Sequence, residues 1–165
     1  MIVVRRIRPG EADALRAVRL AALAESPSAF GSTHAEESTL TAEEWTGRAR
    51  AGSDGSERAM FFAVADGEIV GLAGGYRLGP ASGVVELVSM WTDPTARRGG
   101  AGRLLIDAVL GWAKACGAGE VQLWVTRGNT AAETLYRAVG FTETGDYQPL
   151  PSDPCREETR MTIAL

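Results

Sequence analysis

Arg97-Arg98-Gly99-Gly100-Ala101-Gly102 is the stretch on which the fold turns. Before it, Val84 to Thr92 reads as a β-strand. After it, Ala101 to Cys116 reads as a helix: Leu105, Ala108, Val109, Trp112 and Cys116 share one face, while Arg103, Asp107 and Lys114 share another. The first amides of such a helix have no acceptor within it and lie at the positive end of its dipole. Glycines at the turn remove Cβ atoms and let an oxyanion approach the backbone closely. The turn therefore suits a pyrophosphate, and a plain strand-to-helix connection is the competing reading. No Gly-Lys-Ser/Thr follows, so it is not a Walker loop. Leu105 stands where the dinucleotide fingerprint needs its third glycine.

Upstream of this turn, Ile2 to Arg8 is a short strand stopped by Pro9-Gly10, and Glu11 to Ala24 has helical spacing. Thr41-x-x-Glu44 has the form of a capping box, predicting a second helix from Ala42 to Ala51. Met60 to Ala65 and Glu68 to Tyr76 are β-like runs joined by Asp66-Gly67, a hairpin signal. Downstream, Val121 to Val125 reads as a strand and Thr130 to Val139 as a helix ending at Gly140. Two terminal strands, Phe141 to Gln148 and Glu158 to Leu165, flank a Pro-rich loop from Pro149 to Pro154. The order β-α-α-β-β-β-α-β-α-β-β predicts a mixed α/β domain spanning residues 1–165. It pairs antiparallel early on and parallel across the strand–helix–strand unit from Val84 to Val125.

With 165 residues, 45% hydrophobic and 23% charged, the chain has room for one sizeable core. A formal charge of −4 argues against an electrostatic grip on nucleic acid or anionic lipid. Arg97, Arg98 and Arg103 could still form a local basic spot for a phosphorylated ligand. Cys116 and Cys155 lack CxxC spacing and His34 is the single histidine, so neither a disulfide framework nor a metal site is expected. The N-terminus turns charged at Arg5-Arg6 and no apolar run is long enough to span a bilayer, so a cytoplasmic location is expected.

Three side chains stand out for chemistry. In the Val84–Thr92 strand, alternation puts Val84, Glu86, Val88, Met90 and Thr92 on one face, making Glu86 a carboxylate among apolar neighbours. It suits a general base that takes the proton from an amine; a structural Glu paired with an Arg at the sheet edge is the alternative. Asn129 opens the last helix, where it or Thr130 can act as a cap, and Thr130-x-x-Glu133 has the capping-box form. Ala131, Leu135 and Val139 make a core stripe on that helix, leaving Tyr136 about 100° away, with Ala132 one turn earlier leaving room for a ligand. The Tyr136 phenol could protonate a departing thiolate, or simply pack at the core edge.

Together these pieces resemble the GNAT superfamily of N-acetyltransferases. The likeness is carried by Arg97-x-x-Gly100-x-Gly102 and by Asn129-x-x-Ala132-x-x-x-Tyr136-x-x-x-Gly140-Phe141. It implies a sheet splayed between Val84–Thr92 and Val121–Val125, with acetyl-CoA as cosubstrate in the gap. Backbone groups of Met90, Trp91 and Thr92 would pair with the pantetheine arm. Amides of Arg97, Arg98, Gly99, Gly100, Ala101, Gly102 and Arg103 would bind the pyrophosphate. Asn129 would contact pantetheine beside Ala132, Tyr136 would protonate the thiolate, and Glu86 stands where some members place their base. The amine would attack the thioester directly, without a covalent enzyme intermediate.

The resemblance also places the acceptor amine between residues 27–45 and 147–156. There Phe30, His34, Glu36, Glu37, Glu43, Glu44 and Trp45 could attract a cation or form a solvated helix face. Polyamine, amino acid, antibiotic amine and protein N-terminus or lysine all remain open as acceptors. Homodimers are frequent among family members. Two rival readings are another acyl-CoA donor and a non-catalytic acyl-CoA sensor; Glu86 and Tyr136 together favour catalysis, because a sensor needs neither.

Overall fold

A computed structural model describes residues 1–165. The elements run β1 (Ile2–Arg6), α1 (Ala12–Glu25), α2 (His34–Glu37), α3 (Ala42–Ser53), β2 (Arg58–Ala65), β3 (Glu68–Arg77) and β4 (Val84–Thr92). They continue with α4 (Ala101–Ala115), β5 (Glu120–Thr126), α5 (Thr130–Val139), β6 (Thr142–Leu150) and β7 (Asp153–Ala164). The seven strands form one mixed sheet ordered β1-β2-β3-β4-β5-β7-β6, and β4–β5 is its parallel pair. The Asp66-Gly67 turn joins β2 to β3 with both residues at positive φ, as a tight hairpin demands. Both halves of the expected Thr41–Glu44 capping box are formed at α3.

Each face of the sheet carries its own core. On one, Leu105, Ile106, Val109 and Trp112 of α4 pack on Val85, Leu87, Val121 and Leu123. On the other, Leu15, Val18 and Leu23 of α1 and Trp45 of α3 pack on Phe62, Leu72 and Trp91. Each fully buried Leu or Ile contributes roughly 1.5–3 kcal/mol by leaving water. This double burial makes the sheet a rigid partition between two sides of the molecule.

The partition has a split. Strands β4 and β5 pair only from Val84–Glu120 to Glu86–Gln122, although β4 continues to Thr92 and β5 to Thr126. Beyond Glu86 the two strands diverge, and their facing edges carry unpaired backbone groups. Strand β5 stays paired with β7 from Glu120 through Thr126, so the split is confined to the β4 side.

Four sequence expectations change. The alternation along β4 breaks at Ser89, which takes φ +57 and forms a bulge: Leu72 pairs with Trp91 but Gly74 with Val88. Val84, Glu86 and Val88 therefore do not share a face with Met90 and Thr92. Trp91 turns onto the α1–α3 side, while Met90 and Thr92 approach Gly102 on the α4 side. An additional single-turn helix, α2, is closed by a Thr33–Glu36 capping box. The Pro-rich segment is strand almost throughout, leaving only Pro151-Ser152 as the turn between β6 and β7. On α5 the buried residue is Tyr136, whereas Ala131 is exposed, so the core stripe runs through Ala132, Leu135, Tyr136 and Val139.

Candidate active site

The split between β4 and β5 opens into a cleft of about 1010 Å³. Its walls come from Met90 to Thr92 on β4, Trp124 to Thr126 on β5, the turn at Arg97–Arg103, and Asn129 to Ala138 on α5. The N-terminus of α4 forms one end. Gly100 is its N-cap in the left-handed region at φ +87, and no side chain caps the helix. The first intrahelical bond to Gly100 comes from the Leu104 amide, so the amides of Ala101 to Arg103 have no acceptor within the helix. A Cβ at Gly100 would meet nothing within 4 Å, because that side of the turn faces open space. At Gly102 it would lie 2.9 Å from Leu135 Cδ2 and 3.2 Å from Met90 Cε; this glycine lets α5 and β4 close on α4.

The three arginines of the turn are not equivalent. Arg97 is held by Glu25 at 2.7 Å and by the Thr92 carbonyl at 3.1 Å. Arg103 pairs with Asp107 one turn along the helix at 3.1 Å. Arg98, exposed and at φ +67, makes no ion pair and is the guanidinium left free for an anion. The Glu25 carboxylate also accepts from Trp91 Nε1 at 2.9 Å and from Ser26. Burial pushes Glu25 up, but the hydrogen bonds from Ser26, Trp91 and Arg97 outweigh it and hold the group below the usual glutamate value.

Tyr136 forms the inner wall. It is 7% exposed and its ring meets Phe141 edge-on. Burial raises its ionisation above the usual phenol range, so it stays protonated. Its hydroxyl makes no hydrogen bond to the protein, yet Trp45 Nε1 is the only sealed side-chain polar atom without a partner. The Tyr136 hydroxyl is therefore open to the cleft. Asn129 caps α5 by accepting from the Ala132 amide at 3.3 Å; Thr130 bonds back to the Gly128 carbonyl instead of capping.

Glu86 lies at the closed end of the split, on the opposite face of the sheet from α4. Its setting is polar. Oε2 accepts from the Tyr76 hydroxyl at 2.6 Å, and Oε1 from Gln122 Nε2 at 2.8 Å. Neither the expected apolar surroundings nor the alternative arginine pair is found. Burial, then the hydrogen bond and charge of Glu86, push the Tyr76 phenol up to about 12, against the opposing charge of Arg58.

The family model for GNAT acetyltransferases matches residues 20–141. The chain belongs to the GNAT family of acetyltransferases. A GCN5-related N-acetyltransferase from Kribbella flavida is 29% identical, with 99% of this chain and 98% of that one covered at a TM-score of 0.73. A putative acetyltransferase, yncA, from Salmonella typhimurium, solved with its cofactor acetyl-CoA, is 18% identical over 100% and 94% of the chains, at a TM-score of 0.80. The PaiA N-acetyltransferase of Thermoplasma acidophilum, solved with coenzyme A, is 15% identical over 100% and 99%, at 0.79. No curated protein matches in sequence.

As a GNAT N-acetyltransferase the chain uses acetyl-CoA as cosubstrate. The cleft has what a long anionic thioester needs: uncapped amides at α4, a free Arg98, unpaired strand edges and an open phenol. Where the acceptor amine is expected from the sequence, the acidic stretch of residues 36–44 does not assemble into a cation trap. Glu36 and Glu44 are spent on their helix caps. Glu37 is 4% exposed between Arg19 at 2.7 Å and Arg48 at 2.5 Å. Phe30 and Trp45 are core residues, and His34 is exposed at the start of α2. The loop before α2 is tied down instead: Thr126 Oγ1 donates to the Ser28 carbonyl at 2.6 Å, and Ser152 at the β6–β7 turn donates to the Phe30 carbonyl.

Sequence reasoning passed over Tyr76, Gln122 and Glu158 of this GNAT domain, all on the sheet face that bears Glu86. Alternation along a single strand leaves open which faces of different strands coincide; only the register shows it.

Proposed function

We propose that this acetyltransferase moves the acetyl group of acetyl-CoA onto a primary amine by direct attack within the β4–β5 split. The observation that carries the reading is the Tyr136 hydroxyl, protonated, without a protein partner and open to the cleft. It supplies the proton that the departing thiolate needs. Backbone groups of Met90, Trp91 and Thr92 on the edge of β4 that the split leaves without β5 as a partner hold the pantetheine arm as an added strand would. The same donors stabilise charge developing on the carbonyl oxygen. Amides of the Arg97–Arg103 turn, with Arg98, take the pyrophosphate. Asn129, besides capping, borders the pantetheine path next to Ala132.

Glu86 receives the amine proton, directly or through one water. Two donors fix its carboxylate, and each oxygen keeps a lone pair free. Orientation of amine and thioester supplies much of the rate, and no covalent enzyme intermediate is required. Thiol release from acetyl-CoA in the presence of a panel of primary amines tests this reading. Release with at least one amine is expected. Tight acetyl-CoA binding without release on any amine would make the protein an acyl-CoA sensor.

A further inference from the structure

Glu158 of β7 is 8% exposed and lies directly opposite Thr126, a wall residue of the cofactor cleft. Its Oε1 accepts from Gln148 Nε2 at 2.6 Å. Its Oε2 has no protein donor and is not among the sealed polar atoms, so it remains accessible to a donor from outside the protein. No cation pairs with it.

The charges facing this spot from each neighbouring element are few. From β4 comes Glu86, which makes no ion pair either, and from β3 comes Tyr76. On β7 itself Arg160 shares the face, but its guanidinium is engaged by Asp146 of β6 at 3.0 Å and by Gln122 at 3.4 Å. On β2, Arg58 lies over the Tyr76 ring at 5.5 Å, two strands from β4. The acceptor face thus offers two carboxylates without a counter-ion, and its guanidiniums are engaged elsewhere: Arg160 by Asp146, and Arg19 of α1, which reaches Ser89 at 3.4 Å, by Glu37.

Resting on the amine-acetylation reading above, we propose that Glu158 binds the acceptor's ammonium group and selects amines that carry no carboxylate next to the amine. An α-amino acid would bring a negative charge into a face that already holds two, with nothing to neutralise it. A polyamine, a lysine side chain or another simple cationic amine brings the missing positive charge. Burial first, and the charge of Glu86 in addition, raise the Glu158 carboxyl above the usual glutamate value, against the hydrogen bond from Gln148. An arriving ammonium relieves both penalties and then stands on the sheet face that bears Glu86.

The test compares matched acceptors with a single amine that differ only in a carboxylate beside it, phenethylamine against phenylalanine and tyramine against tyrosine, by steady-state thiol release. The wild-type chain should favour each decarboxylated member by about tenfold or more in kcat/KM. Glu158→Gln should raise the KM of those amines by about tenfold and erase the preference, with kcat changed far less. Glu158→Asp, which keeps the charge, should retain the preference. The acceptor KM should rise with falling pH in the wild type and stay flat in Glu158→Gln. Acetyl-CoA affinity, measured separately, should match in all three and shows that the variants are folded. Equal use of both members of each pair, or an unchanged KM in Glu158→Gln, overturns the inference alone. Absence of release with every amine overturns it together with the reading beneath it.

Discussion

The rings of Tyr136 and Phe141 meet edge to face, centroids 5.9 Å apart and planes at 65°. Phe141 is 2% exposed, so it is a fixed wall against which the Tyr136 ring is held. Tyr136 is thus a core residue of α5 that also lines the cleft.

Replacing Tyr136 with Phe keeps this ring contact and removes only the hydroxyl. Turnover should fall roughly 100-fold, the scale of a lost general acid, with acetyl-CoA affinity nearly unchanged. Because burial holds the wild-type phenol protonated, its own ionisation should leave no alkaline limb on the rate between pH 7 and about 10. Steady-state kinetics checks both, and unchanged turnover in Tyr136→Phe removes the residue from the mechanism.

Arg98 is the turn's unpaired guanidinium, and Arg98→Ala should weaken acetyl-CoA binding by about tenfold, the loss of a charge-assisted contact. Binding of S-acetylpantetheine, which lacks the pyrophosphate, should not change. Calorimetric titration of the two donors separates these outcomes.

Much of this architecture was legible in the residues. Alternation marked β4 from Val84 to Thr92, the capping box marked the start of α3, and Gly140 marked the end of α5. The Ser89 bulge was not legible, since nothing local demands positive φ from a serine; the pairing with β3 imposes it. The α2 turn could have been found, because Thr33-x-x-Glu36 has the same form as Thr41-x-x-Glu44. Prolines argued against strand at 149–154, yet Pro149 and Pro154 sit in the outer hairpin of β6 and β7, where β6 is a sheet edge. For the site, the turn and Tyr136 were visible as local motifs. Glu158 was not, because its meaning comes from partners on other strands.

Glu25 predicts how stability responds to acid. Its folded-state ionisation is lowered from the ordinary 4.5, so its contribution is present above that value and is lost as pH falls through the lower, folded one. Glu25→Gln should have a lower Tm than wild type at pH 7, and the two should converge well below pH 4.5. A constant Tm difference across that range would show that the charge on Glu25 does not stabilise the fold.

Glu158 predicts the opposite sign. Its folded-state ionisation is raised from 4.5, so the charged form carries a penalty that appears as pH rises above the ordinary value. Glu158→Gln should therefore have the higher Tm at pH 7 to 8, with the gain disappearing below pH 4.5. Differential scanning calorimetry over this range decides it; a lower Tm at neutral pH would mean that the buried carboxylate stabilises the empty protein.

Catalysis by this route requires the diphosphate of acetyl-CoA to dock at the tip of α4, and a calorimetric titration of Gly100→Val with acetyl-CoA decides whether it does. A valine there must adopt φ +87 and projects its side chain into the open side of the turn. With folding verified by circular dichroism, the wild type should bind acetyl-CoA one-to-one and the variant should give no measurable heat. Equal affinity in both proteins would mean that the diphosphate binds elsewhere.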